Sequence, residues 1–331
     1  MGADYTFACA QVRSAEKNLL NKERLGVMVE AKTMEDALKV LQDFQYGAEG
    51  ETILPAAYER TLVQETSKLY RFLTSIAPDE KEFRIFFYPF DYHNIKTLLK
   101  AEFLGVDGKA VLMEGGTIDA ATMAVLVKER NFIPMTNHMK AAIEESVDTH
   151  ARTRDPQCVD LICDRECYAD VLEAAKGTGN AFVIGYVRLL IDTINLKTFV
   201  RCQKMGQPWS FFGTVFLPGG NIDEKVFVAG YDEPFHQFAA RLVPYALMGA
   251  AEEGGASMKE TGSFTALEKL CDDALIQYAK QAKYISFGLE PLIAYAVAKQ
   301  MEIKSVRIIL AGKAAGLEPA LIRERLRETY G

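Results

Sequence analysis

The stretch NIKTLLKAEFLG, residues 94–105, shapes the interpretation of the whole chain because its opening recurs elsewhere. The same order of an amide or acid, an aliphatic, a basic residue and a hydroxyl opens QVRSAEKNLLNK at Gln11, NLKTFVRCQKMG at Asn195 and EIKSVRIILAGK at Glu302. The four copies, here called the repeat motif, lie 83, 101 and 107 residues apart. Such spacing indicates an internal repeat of about 100 residues, far longer than the ~34 to 47 residues of helical solenoid repeats.

Equivalent positions of the repeat motif predict one buried helical face, because residues three apart share a face of a helix. The aliphatic positions are Val12, Ile95, Leu196 and Ile303, followed three residues later by Ala15, Leu98, Phe199 and Val306. The basic positions are Arg13, Lys96, Lys197 and Lys304. Each basic residue either forms an ion pair between helices or lines a ring that grips an acidic partner, and we favour the ion pair.

The repeat extends beyond the motif. LMEGGTIDAAT follows the copy at Asn94 and FLPGGNIDEKV follows the copy at Asn195, each as a Gly-Gly break before a short helix. In these segments Thr117 and Asn221 are predicted N-caps, and Thr33 is predicted to cap a similar helix with Asp36 at its third position.

These patterns predict an all-α fold, since alternating strand-like runs are scarce. We expect three similar helical-bundle units around a local threefold axis, at residues 1–112, 113–215 and 216–331. The first unit would include an additional N-terminal helix over residues 5–24, and the last unit would end with a short helix, PALIRERLRETY.

Composition limits the function. The 331 residues are 49% hydrophobic and 25% charged, as in folded globular proteins. A net charge of −7 argues against nucleic-acid binding, which usually requires a basic surface. The most apolar region, from Ala181, contains Arg188 and Asp192 and is too interrupted for a membrane span. Without a secretory signal at the N-terminus, a cytoplasmic protein is the simplest expectation.

The sequence predicts no catalytic, cofactor-binding or metal site, and no cofactor. Glycine-rich segments such as GGTID lack the Lys-Ser/Thr of a phosphate-binding loop. The four histidines have no metal-site spacing, and Cys158, Cys163 and Cys167 are better explained as small buried helix residues than as zinc ligands. Asp164, Asp272 and Asp273 lie in mid-helix, either as acid–base groups or, as we favour, as exposed residues or partners of basic residues.

Several segments together resemble the C subunit of the A/V-type ATP synthases and ATPases, the family that includes the d subunit of the vacuolar ATPase. These segments are YTFACAQVRSAEKNLL, DYHNIKTLLKAEFLG, IDTINLKTFVRCQ and, most specifically, GLEPLIAYAVAKQMEIKSVRIILAGKAAGLEPALIRERLR. The resemblance implies three helical units in a pseudo-threefold funnel. The funnel's wide end would sit on the cytoplasmic face of a membrane rotor ring, and the central shaft would plug into it.

The resemblance therefore implies a non-catalytic central-stalk subunit, peripheral to the membrane, that couples the shaft to the ring for proton or sodium transport. Its partners would be the shaft subunits and the proteolipid ring. Two alternatives remain at this point. One is a small-molecule enzyme in a helical-bundle cavity, with Asp164, Asp272 or the motif lysines as acid–base groups; the other is a helical adaptor unrelated to ATPases.

Overall fold

The computed structural model describes residues 4–44, 46–47 and 53–331, which form sixteen α-helices connected by turns and short 3₁₀ helices. No β-strand occurs in this described part of the chain. The predicted all-α class is confirmed.

The chain divides into two compact units. The terminal unit comprises Met1–Glu80 and Pro234–Gly331, and the middle unit comprises Lys81–Glu233. The helices of the terminal unit are α1 (Thr6–Ala15), α2 (Lys22–Glu30), α3 (Met34–Asp43), α4 (Tyr58–Ile76), α12 (Phe235–Phe238), α13 (Met248–Thr261), α14 (Thr265–Lys280), α15 (Glu290–Ala314) and α16 (Pro319–Arg325). Those of the middle unit are α5 (Arg84–Leu104), α6 (Ala120–Glu129), α7 (Asn137–Thr153), α8 (Gln157–Gly177), α9 (Ala181–Lys204), α10 (Trp209–Val215) and α11 (Glu224–Ala229). The expected division into three units stays a prediction.

Helix α8 organises the middle unit, because α5, α7 and α9 all pack against it. Near the end of α9, five aromatic rings form a cluster in which neighbouring centroids lie 5.4 to 5.9 Å apart. The rings belong to Phe199, Phe212, Phe216, Phe227 and Tyr231. Edge-to-face and tilted packing at this spacing is favourable for aromatic pairs. The cluster thereby fixes the short helices α10 and α11 to the end of α9.

The terminal unit has an apolar core assembled from both ends of the chain. The early part supplies Leu20, Leu25, Met28, Val29, Leu38, Leu41 and Leu62, and the late part supplies Ile303, Val306, Ile309, Leu310 and Ile322. Helix α15 contacts α4, α14 and α1 as well as α2 and α3. Side chains separated by more than 240 positions in the sequence therefore share one core.

The helix starts follow local capping chemistry where the cap lies on the surface. The Thr33 hydroxyl accepts a hydrogen bond from the Asp36 main-chain N–H at 3.1 Å, so the predicted start of α3 is confirmed. The continuous helix predicted over residues 5–24 is wrong. Helix α1 ends at Ala15, and after a 3₁₀ turn and an extended Leu19 the chain begins α2 with Asn21 as N-cap.

Candidate functional site: the anchored motif helices

Three copies of the repeat motif lie within the long helices α5, α9 and α15, and the copy at Gln11 begins in α1. The aliphatic positions Val12, Ile95, Leu196 and Ile303 are all buried. Phe199 and Val306 are also fully buried, but Leu98 and Ala15 are only half-buried. In α5 the next residue, Leu99, is fully buried instead. The expected buried face is therefore shifted by one residue at this point of α5.

Three residues before Asn94, the buried carboxylate of Asp91 holds the Gly-Gly segment that follows α5. It accepts hydrogen bonds from the Thr117 N–H (2.9 Å), the Thr117 hydroxyl (2.7 Å) and the Ile118 N–H (3.1 Å). Gly116 passes so close that a Cβ there would lie 2.2 Å from Asp91 Oδ1. Glycine is required here because only the bare backbone leaves room for the carboxylate.

The same arrangement recurs one repeat later around Asp192 of α9. Its carboxylate accepts from the Asn221 N–H (3.1 Å), the Asn221 side-chain amide (2.8 Å) and the Ile222 N–H (3.0 Å). A Cβ on Gly220 would lie 2.2 Å from Asp192 Oδ1. Sequence reasoning missed both aspartates, although their common offset from the motif was a usable signal.

These bonds correct two predicted N-caps. Thr117 and Asn221 do not cap the helices that follow them; Asp119 caps α6 and Asp223 caps α11. The hydroxyl of Thr117 and the amide of Asn221 are used instead to bind the buried aspartates. A tertiary hydrogen bond to a buried carboxylate thus replaces the local bond that the sequence pattern suggested.

The first residue of the motif makes a second attachment in the middle unit. The side-chain amide of Asn94 donates to the Met113 carbonyl and accepts from the Met113 N–H, both at 2.8 Å. Asn195 makes the same two bonds with Leu217, again both at 2.8 Å. An amide is suited to this position because it supplies a donor and an acceptor together, which satisfies both groups of one residue's main chain.

At the equivalent position of α15 the motif has Glu302, and the attachment is ionic. Its carboxylate accepts from the Leu20 N–H and the Tyr46 hydroxyl, each at 2.5 Å. Lys299, which occupies the place of Asp91 and Asp192, donates to Glu302 at 2.5 Å and lies above the Tyr46 ring at 4.2 Å. Burial raises the pKa of the Tyr46 phenol well above its ordinary value, so the phenol remains a donor.

Two of the motif lysines, Lys96 and Lys304, form ion pairs between helices. Lys96 of α5 meets Asp164 of α8 at 2.5 Å, and Lys304 of α15 meets Asp272 of α14, also at 2.5 Å. Lys197 is half-buried on α9. The two bridges differ in direction, because α8 follows α5 in the chain whereas α14 precedes α15. Of these equivalent lysines, one therefore binds a helix later in the chain and the other binds the preceding helix.

Arg13, the basic residue of the first copy, donates to the carbonyls of Ala282 and Ile285 at 2.8 and 2.9 Å and pairs with Glu16. The third mid-helix carboxylate, Asp273, pairs with Lys269 at 2.5 Å.

The anchors repeat within this single chain, and comparison with known proteins matches nearly the whole of its sequence. The family model described as the ATP synthase (C/AC39) subunit matches residues 8–325. The chain belongs to this family. The resemblance inferred from four sequence segments is therefore confirmed over nearly the full length of the chain.

Relatives of this C/AC39 protein match almost its whole length. It is 24% identical over 322 residues to the C subunit of the V-type sodium ATPase of Enterococcus hirae, covering 96% of this chain and 97% of that protein. It is 25% identical to the C subunit of the A-type ATP synthase of Methanocaldococcus jannaschii, covering 98% and 86%. It is also 25% identical to the C subunit of the V-type ATP synthase of Thermus thermophilus, covering 98% and 99%.

Burial changes the acidity of the anchoring carboxyl groups in this C/AC39 protein. Desolvation raises the pKa of Asp91 to about 6, against the opposing effect of its three hydrogen bonds. Burial also raises the pKa of Asp192 and of Asp170. The Asp170 carboxylate accepts from the Tyr92 and Thr136 hydroxyls at 2.7 and 2.6 Å, which ties α5 to α8.

One group of side chains in the described part of the protein has donor atoms close enough to hold a metal. The donor atoms of His138, Asp170 and Glu173 lie within 4.8 Å of one another. However, His138 Nδ1 is already 2.6 Å from Glu166, and its Nε2 is 3.4 Å from Glu173. His138 of α7 is therefore held between two carboxylates of α8, and its ring nitrogens contact these carboxylates.

The cysteines of the protein are poor metal ligands. All six are buried free thiols. Burial raises the pKa of Cys163 to about 12 and also raises that of Cys167, so both thiols stay protonated near neutral pH. Metal coordination uses the thiolate form, which these environments disfavour.

Among the described residues, no helix is both long enough and apolar enough to cross a membrane.

Proposed function

We propose that this chain is the non-catalytic central-stalk subunit of an A/V-type rotary ATPase. In this role it couples the rotating shaft to the membrane rotor ring during proton or sodium transport. The match of the C/AC39 family to residues 8–325 carries the proposal, because it covers both units and not one helix or motif. The partners would be shaft subunits and the proteolipid ring, and the protein would lie at the cytoplasmic side of the membrane.

The anchors give this role a physical basis. A protein that transmits torque must resist deformation, since energy spent on bending it does not reach the ring. Asp91, Asp192 and Glu302 each fix main-chain N–H groups through a buried carboxylate. Charge-assisted bonds of this kind are about twice as strong as neutral ones, and breaking them leaves buried charge.

The contacts of the mid-helix carboxylates support a non-catalytic role over the enzyme alternative. Asp164 and Asp272 bind the motif lysines, and Asp272 also accepts from Arg327 at 2.7 Å. The groups suggested for acid–base catalysis are thus partners of each other. Ion pairs between packed helices serve stability and geometry.

Co-purification, together with assays of ATP hydrolysis and ATP-driven ion pumping, tests the proposal. We expect the tagged chain, extracted in mild detergent, to retain shaft subunits and the ring proteolipid. Membranes from a strain that lacks the chain should release a headpiece that still hydrolyses ATP, while ATP-driven ion pumping is lost and returns when the chain is added. Full pumping in its absence, or purification of the chain without ATPase subunits, would show that the proposal is wrong.

A further inference from the structure

An open groove of about 670 Å³ lies on the surface of the terminal unit between α2, α3 and α16. Its lining includes Glu23, Gly26, Val27, Asp36, Val40 and Arg323. The core-facing residues of α2 are Leu25, Met28 and Val29, which leaves Gly26 and Val27 on the groove side. The volume lies within the range of ~300 to 1,000 Å³ found for binding sites.

The packing of the residues that the structure describes does not explain why position 26 is a glycine. It lies inside α2 with ordinary helical geometry, where glycine is the least favourable residue after proline. A Cβ at this position would meet no atom of the described residues within 4 Å, so none of these neighbours requires its absence. A small residue in a helix also permits close approach of another helix. Gly26 therefore leaves a notch that a molecule outside this chain can use.

The residue beside the notch is apolar and exposed. Val27 has 55% of its surface accessible although it belongs to a helix with a well-filled core face. Ala31 and the half-buried Val40 continue the apolar surface across the groove. An apolar floor with a notch at its centre matches the shape of a helix-binding groove.

The rim of the groove carries excess negative charge. Glu30 pairs with Arg323, and Asp36 pairs with Lys39 at 2.9 Å. The carboxylate of Glu23, in the first turn of α2, makes no ion pair with any residue that the structure describes. An occupant with a basic side chain opposite Glu23 would complete the charge balance.

We propose that this groove between α2, α3 and α16 binds an amphipathic helix of a partner polypeptide that carries lysine or arginine. The apolar face of that helix crosses α2 at Gly26, and its basic residues face Glu23. The proposal concerns a surface of the terminal unit and does not depend on which machine the chain serves.

Photo-crosslinking from the groove tests this directly. Because all six native cysteines are buried, Val27→Cys provides one exposed thiol for a benzophenone maleimide. Val63→Cys on α4 is the matched control, since Val63 is similarly exposed at 49%. The labelled full-length chain is added to membranes from a strain that lacks it, and the adducts are mapped by mass spectrometry. We expect an adduct from position 27 on a helical segment that contains lysine or arginine.

Two pairs of variants test whether the adduct depends on the notch at Gly26 and on the charge of Glu23. Gly26→Leu in the labelled Val27→Cys chain fills the notch with a good helix former and should lower the adduct yield about tenfold or more. Gly249→Leu, at an exposed helical glycine also without atoms within 4 Å, should leave the yield unchanged. Glu23→Lys should lower the yield several-fold, and Glu253→Lys on α13 should not.

Several outcomes would overturn the proposal. They are no adduct above the Val63→Cys control, an adduct on a segment without basic residues, an adduct with a second copy of this chain, and a yield insensitive to Gly26→Leu. The thermal midpoint of the Gly26→Leu chain should equal or exceed that of the unmodified chain. If that variant is unfolded, Glu23→Lys alone decides. Absence of ATPase subunits in purified material would refute the proposed function without affecting these outcomes.

Discussion

At the scale of single residues, Asp91 connects the geometry of an anchor to the pH dependence of stability. Its carboxyl is fully buried, and desolvation raises its pKa from 3.8 to about 6. Between these values the folded chain holds a proton that the unfolded chain has released. Its contribution to stability is therefore greatest at low pH and is lost as the pH rises through about 6.

Asp91→Asn tests this sign. As the pH rises from about 4 to about 7.5, the free energy of unfolding of the unmodified chain should fall relative to the variant's by up to about 3 kcal/mol. The comparison removes the contribution of all other titrating groups. Urea unfolding at several pH values measures it, and a difference between the two chains that does not vary with pH would contradict the raised pKa.

A second test at this scale compares the carboxylates of the two motif ion pairs. The Asp272 side chain is only 3% exposed and faces both Lys304 and Arg327, whose side chain is 8% exposed. Asp272→Ala leaves a buried guanidinium unpaired, so we expect a loss of about 3 to 5 kcal/mol.

Asp164→Ala is the matched control. The Asp164 side chain is 52% exposed and pairs with Lys96 alone, so its removal should cost less than about 1 kcal/mol. Chemical denaturation of both variants gives the two values. Equal losses would mean that exposure does not determine the strength of these bridges.

The contacts between individual side chains were the part of the site that the sequence predicted least completely. The motif lysines and the mid-helix aspartates were both identified as notable, but their pairing depends on helix rotation, which periodicity does not fix. Helix rotation is also the reason that the sequence predicted a buried Leu98, whereas the structure has Leu98 half-buried and Leu99 fully buried. A shift of one residue turns a side chain by about 100° around a helix with 3.6 residues per turn.

At the scale of helices and their connections, the paired amide bonds of Asn94 and Asn195 have a measurable effect. Replacing Asn195 with alanine leaves both the N–H and the carbonyl of Leu217 without their partner. We expect a loss of about 2 to 4 kcal/mol, because two buried polar groups become unsatisfied. Asn94→Ala should cause a smaller loss through Met113, because its two bonds are only partly buried.

Hydrogen exchange locates this effect. The amide of Leu217 should exchange faster in Asn195→Ala while the amide of Met113 keeps its native rate, and Asn94→Ala should show the reverse. Each variant serves as the control for the other. Unchanged exchange at the amide facing the substitution would show that the bond does not restrain the connection.

Helices were predicted well where their signals are local, as for the cap of α3 by Thr33. The predictions failed at connections held by distant residues. Thr117 and Asn221 bind the buried carboxylates of Asp91 and Asp192 and do not cap the helices that follow them. Glu302 accepts a hydrogen bond from the N–H of Leu20, at the point where the expected long first helix is interrupted. A single sequence without pairing information does not reveal such bonds.

At the scale of the whole molecule, burying a charge in the terminal core tests whether loss of the chain uncouples the proposed machine. Val306 is fully buried in that core, so Val306→Asp should cost several kcal/mol and unfold or release the protein. ATP hydrolysis by the detached headpiece should continue while ion pumping by membranes is lost.

Phe199→Asp, in the aromatic cluster of the middle unit, should have the same effect. Leu98→Asp should be much milder because its site is half-buried. Hydrolysis and pumping assays on the same membranes distinguish these outcomes, and pumping that survives Val306→Asp in a chain shown to be unfolded would refute the coupling role.

The all-α class and the family were both predictable from the sequence, since helix periodicity and the ordered motif segments extend along the chain. The division into compact units was not. The terminal unit joins residues from opposite ends of the sequence, and no periodic pattern states that Leu62 and Ile303 will share a core. The three-unit arrangement remains a prediction that rests on the repeat.

The core shared by early and late residues also delays the folding of the terminal unit during translation. When Leu20 to Leu62 leave the ribosome, the residues of α15 and α16 that complete their core are still untranslated. At ~5 to 20 residues per second, the wait lasts on the order of tens of seconds. The middle unit is one continuous segment and needs no such delay. A newly made chain therefore keeps the apolar side chains of its early helices exposed until α15 and α16 have been translated.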